Sequence, residues 1–235
     1  CQTKCTRNYY DDPVQIRATK LIAAEHGYDG LMASLKKPEP VTDGRRAAII
    51  GGGPTGIAAA YFLGRAGIPV TIFEKSHKLG GVPRLVIPGF RISEEAIEKD
   101  IALMRFYGAE VKLNTPAPSV SELKAMGYTH ILFAVGAWKP GKLEIAGDVA
   151  GAIQWMKGVK AGNIAVGGSI AVVGGGNTAM DAARLAKRSG AKQVTLVYRR
   201  TRKYMPADEH ELALALQDGV TFAELAAPVK QADGV

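Results

Sequence analysis

The feature that most constrains this chain is a four-part pattern that occurs twice: a short apolar run, a glycine turn, an amphipathic stretch and a second apolar run. The first copy reads Ala47 to Ile50, then Gly51-Gly52-Gly53-Pro54-Thr55-Gly56, then Ile57 to Ala66, then Val70 to Phe73. The second reads Ser169 to Val173, then Gly174-Gly175-Gly176-Asn177-Thr178-Ala179, then Met180 to Ser189, then Val194 to Tyr198. Short apolar runs bounded by glycine read as strands, Ala47 to Ile50 as a buried one, and Gly67 and Gly190 stand where each helix should stop. A strand, a helix and a second strand in that order form a parallel crossover unit, so the chain is expected to build mostly parallel sheets.

Between the two copies, a helix is expected from Glu94 to Tyr107, a strand near Val111 to Leu113, and a buried strand from Ile131 to Val135 that ends in Gly136-Ala137-Trp138. A helical patch follows near Ala152 to Lys157. Ahead of the first copy, imperfect helical spacing predicts a helix from Val14 to His26, stopped by Gly27, and Lys36-Lys37-Pro38-Glu39-Pro40 reads as a stiff polar linker. The expected fold is α/β, with two Rossmann-type dinucleotide-binding units preceded by a short helical lead-in. The expected division is a lead-in over 1–43, a first unit over 44–163 and a second over 164–235.

The two turns carry different chemistry. Gly51, Gly53 and Gly56 match G-x-G-x-x-G: the first glycine permits the tight turn, the second lets the backbone approach a pyrophosphate, and the third lets helix pack on strand. The helix N-terminus behind them, at Pro54 and Thr55, presents free N–H groups to an anion. Glu74, followed by Lys75, closes the next strand where a carboxylate can accept hydrogen bonds from a ribose diol. Gly80 and Gly81 suggest a second loop close to the same ligand. Arg84 and Arg91 are candidate phosphate partners, or else surface ion-pair residues. We assign this turn to FAD.

Gly174, Gly176 and Ala179 match G-x-G-x-x-A, with Asn177 and Thr178 opening the helix. At the far end of the following strand stand Arg199 and Arg200 in place of an acidic residue. Two cations there suit a 2′-phosphate, so NADPH is expected rather than NADH. Asp181, in the first turns of the helix, either belongs to this site or complements the helix terminus.

Composition narrows the rest. The formal net charge is +8, but Lys and Arg are scattered apart from Arg199, Arg200, Arg202 and Lys203, and no basic patch is interleaved with aromatics, so a nucleic-acid partner is not expected. No apolar run approaches a membrane span, and only Cys1 and Cys5 carry thiols, which makes a cytoplasmic setting the expectation and argues against a dithiol relay beside a flavin. His26, His77, His130 and His210 are dispersed and form no catalytic or metal constellation. No catalytic side chain is expected, because in hydride transfer the cofactors carry the chemistry.

Beyond these local readings, long ordered stretches resemble the glutamate synthase small-subunit family. They are Gly51 to Ala59, Leu79-Gly80-Gly81 with Arg84 and Ile87 to Arg91, Ala134 to Trp138, Val172 to Arg184, and Tyr198 to Arg202 with Met205-Pro206-Ala207 and Glu209. That family includes the amino-terminal part of dihydropyrimidine dehydrogenase and selenate reductase iron–sulfur subunits, the last being the nearest in detail. The resemblance implies an FAD domain with an inserted NADPH domain, and electrons passing from NADPH to FAD and on to iron–sulfur clusters or to other domains or subunits. It also implies that Ala137 lies near FAD, that the chain belongs to a longer enzyme, and that Cys1 and Cys5 are remnants of a [4Fe–4S] motif, the alternative being two free thiols. Two positions depart from the pattern: Val135 replaces a hydroxyl residue and Val86 a glycine. The competing expectation is a non-catalytic dinucleotide-binding or assembly module.

Overall fold

A computed structural model describes residues 4–139, 141 and 145–232. Among them are two separate parallel sheets. The first contains β1 (Ala47–Ile50), β2 (Val70–Phe73), β3 (Glu110–Lys112) and β4 (His130–Phe133), in the order β3-β2-β1-β4. The second contains β5 (Ser169–Val173), β6 (Gln193–Tyr198) and β7 (Thr221–Glu224), in the order β5-β6-β7. Each glycine turn follows the first strand of its sheet and opens a helix: α2 (Pro54–Arg65) after β1, and α7 (Asn177–Arg188) after β5.

The first sheet is covered on both faces, as its apolar strands require. Ile49 and Ile72 point to one side, where they pack with Ile57 and Ala60 of α2 and with Ile97, Ile101 and Met104 of α4 (Glu94–Phe106). Ala48 and Phe73, one residue out of phase, point to the other side and meet Leu123 of α5 (Val120–Ala125) and Tyr128. Alternation along each strand therefore feeds two cores. Fully buried Ile49 and Ile72 each contribute about 1.5–3 kcal/mol. In the second sheet one face packs Val194 and Leu196 against Met180, Ala183 and Ala186 of α7 and Leu212 and Ala215 of α8 (Glu209–Gln217).

Several boundaries differ from the expectations, each for a local reason. Gly27 does not stop the lead-in helix: α1 runs Ile16–Ser34, through both Gly27 and Gly30. A mid-helix glycine costs about 1 kcal/mol, and here no left-handed cap forms to use it. The helix buries none of its residues and touches the body through Tyr28, whose hydroxyl donates to the Lys99 carbonyl at 3.3 Å and whose ring lies under the Lys99 ammonium. The strand expected over Ile131 to Val135 is not a buried one. Among the described residues it is an edge strand that pairs with β1 alone, and it leaves Leu132 and Phe133 exposed. Both glycine-turn helices start earlier than their apolar periodicity suggested, α2 with Pro54 in its first turn, a position that tolerates the missing N–H.

A third element joins the sheets. α6 (Ala152–Lys160) buries Met156 against Val86 and Ala182, one from each side of the junction. Its last residue, Lys160, donates from Nζ to the Arg84 and Ile87 carbonyls at 2.7 and 2.6 Å. With no carboxylate in contact among the described residues, burial holds this ammonium below its ordinary value.

Candidate functional site

The carboxyl ends of β1, β2 and β4 enclose a cavity of about 460 Å³, at the point where the chain, having built β1, β2 and β3 outward, returns to place β4 on the opposite side of β1. In open parallel sheets this is where ligands bind. Gly51, Gly53, Pro54, Thr55, Glu74, Lys75 and Gly81 all line it. The backbone explains the glycines. Gly51 has φ +108°, and a Cβ there would stand 2.9 Å from the Ala134 carbonyl carbon; Gly81 has φ +56°, and its Cβ would stand 2.8 Å from Gly53 Cα. Gly53, by contrast, has φ −78°, and the one atom within 4 Å of an added Cβ lies 3.8 Å away, so nothing in the protein itself forbids a side chain. The room left at Gly53 opens into the cavity, as expected if a ligand approaches the main chain there.

Glu74 is buried at the rim. Its Oε2 accepts the Gly52 N–H at 2.6 Å and its Oε1 accepts the Ser76 N–H at 2.7 Å. Each oxygen keeps lone-pair capacity, so the carboxylate is locked in orientation yet able to accept hydrogen bonds from a diol. The glycine turn, the carboxylate and the start of α2 thus fit the adenosine and pyrophosphate part of FAD. Sequence reasoning missed the apolar wall of the cavity: Val82, Pro83, Pro116, Ala117 and Trp138. Trp138 was the visible signal, an aromatic residue directly after the Gly136-Ala137 turn.

Other expected residues stand elsewhere. Gly56 is buried behind the cavity, where a Cβ would overlap the Gly51 carbonyl group, so it serves helix–strand packing. Gly80 caps α3 (Gly81–Leu85), a short helix where a loop was expected, and does not line the cavity. Ala137 is exposed between two lining residues, Gly136 and Trp138. Arg84 is the clearest correction. Its side chain is buried, with Nε 2.9 Å from Glu94, Nη2 2.5 Å from Glu98 and Nη1 donating to the Leu79 carbonyl at 2.9 Å. Its Nη1 and Nη2 donors are engaged within the chain, the latter tying α3 to α4, and the side chain does not line the cavity.

Arg91 lies at the junction of the two sheets. Its Nε donates to Asp181 at 2.5 Å, and its Nη2 pairs with Glu211 of α8. Burial holds the Asp181 carboxyl above the usual range despite this cation, whereas the Arg91 hydrogen bond holds Glu211 below it. Beside them the Phe90 ring lies 4.7 and 4.5 Å from the Arg184 and Arg188 guanidiniums. Both of those arginines pair with Asp218, whose carboxyl is lowered to about 2, chiefly by Arg188. Asp181 is thus engaged by Arg91 as well as sitting near the start of α7.

The second glycine turn has Gly174 and Gly176 at its ends, with Gly176 capping α7 and Asn177 and Thr178 exposed in the first turn. Arg199 and Arg200 follow β6 and are exposed. Among the described residues, neither they nor Arg202 and Lys203 form an ion pair. Four free cations therefore border the second turn, where the first has a buried carboxylate. Cys1 lies outside the described residues. Cys5 is a free, half-buried thiol, and no group of three or more metal-ligating side chains occurs among the described residues.

The family model for pyridine nucleotide-disulphide oxidoreductases matches residues 45–225. The chain belongs to that family. Its α/β fold, its two parallel sheets and its two glycine turns accord with that family. Among its relatives, YgfK of Escherichia coli (strain K12) is 40% identical over 100% of this chain and 23% of its own length. The NADPH-Fe(3+) oxidoreductase subunit beta of Geobacter sulfurreducens is 34% identical over 94% of this chain and 35% of its own length. The NAD-dependent dihydropyrimidine dehydrogenase subunit PreT of Salmonella typhimurium is 32% identical over 97% of this chain and 57% of its own length, in line with the resemblance drawn from the motifs. The chain thus spans about a quarter to just over half the length of these relatives. A 2-naphthoyl-CoA reductase structure superposes with a TM-score of 0.68 at 22% identity, covering 83% of this chain and 30% of that one, which shows the shared fold. No helix among the described residues is long and apolar enough to cross a membrane.

Proposed function

We propose that this chain is the NADPH-to-FAD portion of a cytoplasmic electron-transfer enzyme and that the electrons leave to another domain or subunit. The observation that carries the reading is the difference between the two glycine turns. A buried, amide-locked carboxylate, Glu74, faces the first, and four exposed cations that form no ion pair among the described residues border the second. A carboxylate suits a ribose diol and repels a 2′-phosphate; clustered arginines do the reverse. The relatives' names divide on the nucleotide, one naming NADPH and one NAD, so the discrimination for this chain rests on Arg199 and Arg200.

In this reading Gly51, Gly53, Thr55, Glu74, Lys75 and Gly81 hold FAD, with Ala137 and Trp138 toward its ring. Gly174, Gly176, Asn177, Thr178, Arg199 and Arg200 hold NADPH. Bound FAD would supply the hydride-accepting chemistry. The protein's own part is to bind both dinucleotides, to wall one side of the flavin cavity with apolar side chains, and to fix the two turns relative to each other through Lys160, Arg91 and the Phe90 contact. No side chain acts as acid or base.

The test is anaerobic reduction of the purified flavoprotein. NADPH is expected to bleach its flavin absorbance faster than NADH at equal concentration. Arg199→Glu is expected to slow bleaching by NADPH far more than by NADH. Equal losses with both nucleotides would overturn the NADPH assignment. A colourless protein that takes up no FAD would overturn the electron-transfer reading in favour of a non-catalytic binding module.

A further inference from the structure

The loop that carries the cations is fastened to the glycine turn at several points. Tyr198, the last residue of β6 and buried, lays its ring on Gly175, where a Cβ would stand 2.5–2.9 Å from ring carbons. Its hydroxyl donates to the Tyr204 carbonyl at 2.7 Å, across the span that contains Arg199, Arg200, Arg202 and Lys203. The Ala207 N–H returns to the Gly175 carbonyl at 3.0 Å and closes the loop on the turn itself. From the other side Glu224, at the end of β7, accepts the Arg202 N–H at 2.9 Å, and the Leu225 N–H donates to the Arg200 carbonyl at 3.3 Å. Glycine turn, β6 end and basic loop are thus one braced unit.

We infer that Tyr198 and Glu224 are positioning residues for the 2′-phosphate: they hold the cationic loop at a fixed height over the second glycine turn and so set the preference for NADPH over NADH. This rests on the reading of that turn as the NADPH turn. The physical basis is entropy. Arg and Lys side chains have many rotamers, and a loop free to wander would spread their charges over a large volume. Fixing the main chain at residues 202 and 204 leaves only side-chain freedom to be lost when phosphate binds, which is the advantage of preorganisation. Neither residue need touch the ligand. Glu224 also puts a carboxylate near the cations, so its position and its charge act in opposite directions on an anion.

The experiment is calorimetric titration of the intact protein with NADP+ and with NAD+. Tyr198→Phe keeps the ring on Gly175 and deletes only the hydroxyl. It is expected to raise the Kd for NADP+ roughly 2- to 12-fold, the range given by one lost hydrogen bond, and to leave the Kd for NAD+ close to the parent value. Glu224→Gln keeps an acceptor for the Arg202 N–H and removes the charge, so NADP+ is expected to bind as well as to the parent or better. Glu224→Ala removes the acceptor, and NADP+ is expected to bind less tightly. A purely structural role would move both nucleotides together in Tyr198→Phe. A pure charge effect would make the two Glu224 variants alike. Either result overturns the inference. If the parent protein itself binds NADP+ no tighter than NAD+, the NADPH reading falls. If the parent prefers NADP+ and Arg199→Glu abolishes that preference while Tyr198→Phe leaves it intact, the positioning role alone falls.

Discussion

Gly53 and Gly56 stand three residues apart in one motif, yet replacing each with alanine should fail in opposite ways. At Gly53 the backbone has φ −78°, a value that any residue adopts, and the nearest atom to an added Cβ is 3.8 Å away. Glycine to alanine at an N-cap costs a few tenths to about 1 kcal/mol, which lowers the melting temperature by about 1–4 °C in a chain of this size. The same methyl, however, enters the 460 Å³ cavity where a pyrophosphate would approach the main chain. Losing one charge-assisted amide–phosphate hydrogen bond, about 1.5–3 kcal/mol, weakens flavin binding by roughly 10- to 100-fold. At Gly56 the added methyl would overlap the Gly51 carbonyl oxygen and stand 3.1 Å from its carbon. Both sides of that contact are main chain, so α2 must retreat from β1 by about 1 Å, and overpacking of this kind costs about 1–3 kcal/mol or more. Gly56→Ala should therefore melt roughly 2–12 °C lower and lose flavin only as a consequence. The assay is the flavin-to-protein ratio after saturation with FAD, read beside a thermal melt of the flavin-free protein. A Gly53→Ala protein with undiminished flavin affinity, or a Gly56→Ala protein that melts normally but has lost flavin, would refute the assignment of these roles.

Three further outcomes follow from the ion pairs. Arg84→Met removes a buried cation from Glu94, Glu98 and the Leu79 carbonyl; stability should fall by about 1–3 kcal/mol in urea denaturation while flavin affinity holds, and the reverse pattern would restore Arg84 as a phosphate ligand. Arg91→Ala leaves Asp181 and Glu211 facing each other without their cation, so it should destabilise by about 2 kcal/mol near neutral pH. The deficit should shrink as pH falls and the carboxylates protonate; a deficit that stays constant would mean lost packing, not lost charge. Asp218, lowered from 3.8 to about 2, gives stability that is fully present above its unfolded value and is lost as pH drops through about 2. Because Arg188 is nearly half exposed, we take that contribution as about 1 kcal/mol at pH 7, and Asp218→Asn should lose it there and converge on the parent between about pH 4 and pH 2.

What could be read from the sequence divides along a physical line. The turns, β1, β2, β5 and most of β6 were legible because each strand is a run of apolar residues and each turn is a run of glycines, both purely local signals. α5 was also legible in principle, since Ser119 and Glu122 form a reciprocal capping box, yet its apolar periodicity is too short to announce a helix. The roles of the arginines were not legible, because a guanidinium near a glycine turn looks alike whether it meets a phosphate or a carboxylate. Which of the two it meets depends on tertiary neighbours far along the chain. Arg91 finds Asp181 and Glu211 only after α7 and α8 have docked; Arg84 finds Glu94 and Glu98 only after α4 has folded back. Arg199 and Arg200 form no ion pair among the described residues. Of the arginines that flank the two turns, the pair without an ion-pair partner is the one left to take an anion, and in the proposed reading the discrimination between the two nucleotides depends on that remainder of charge and not on the glycines that first drew attention to the site.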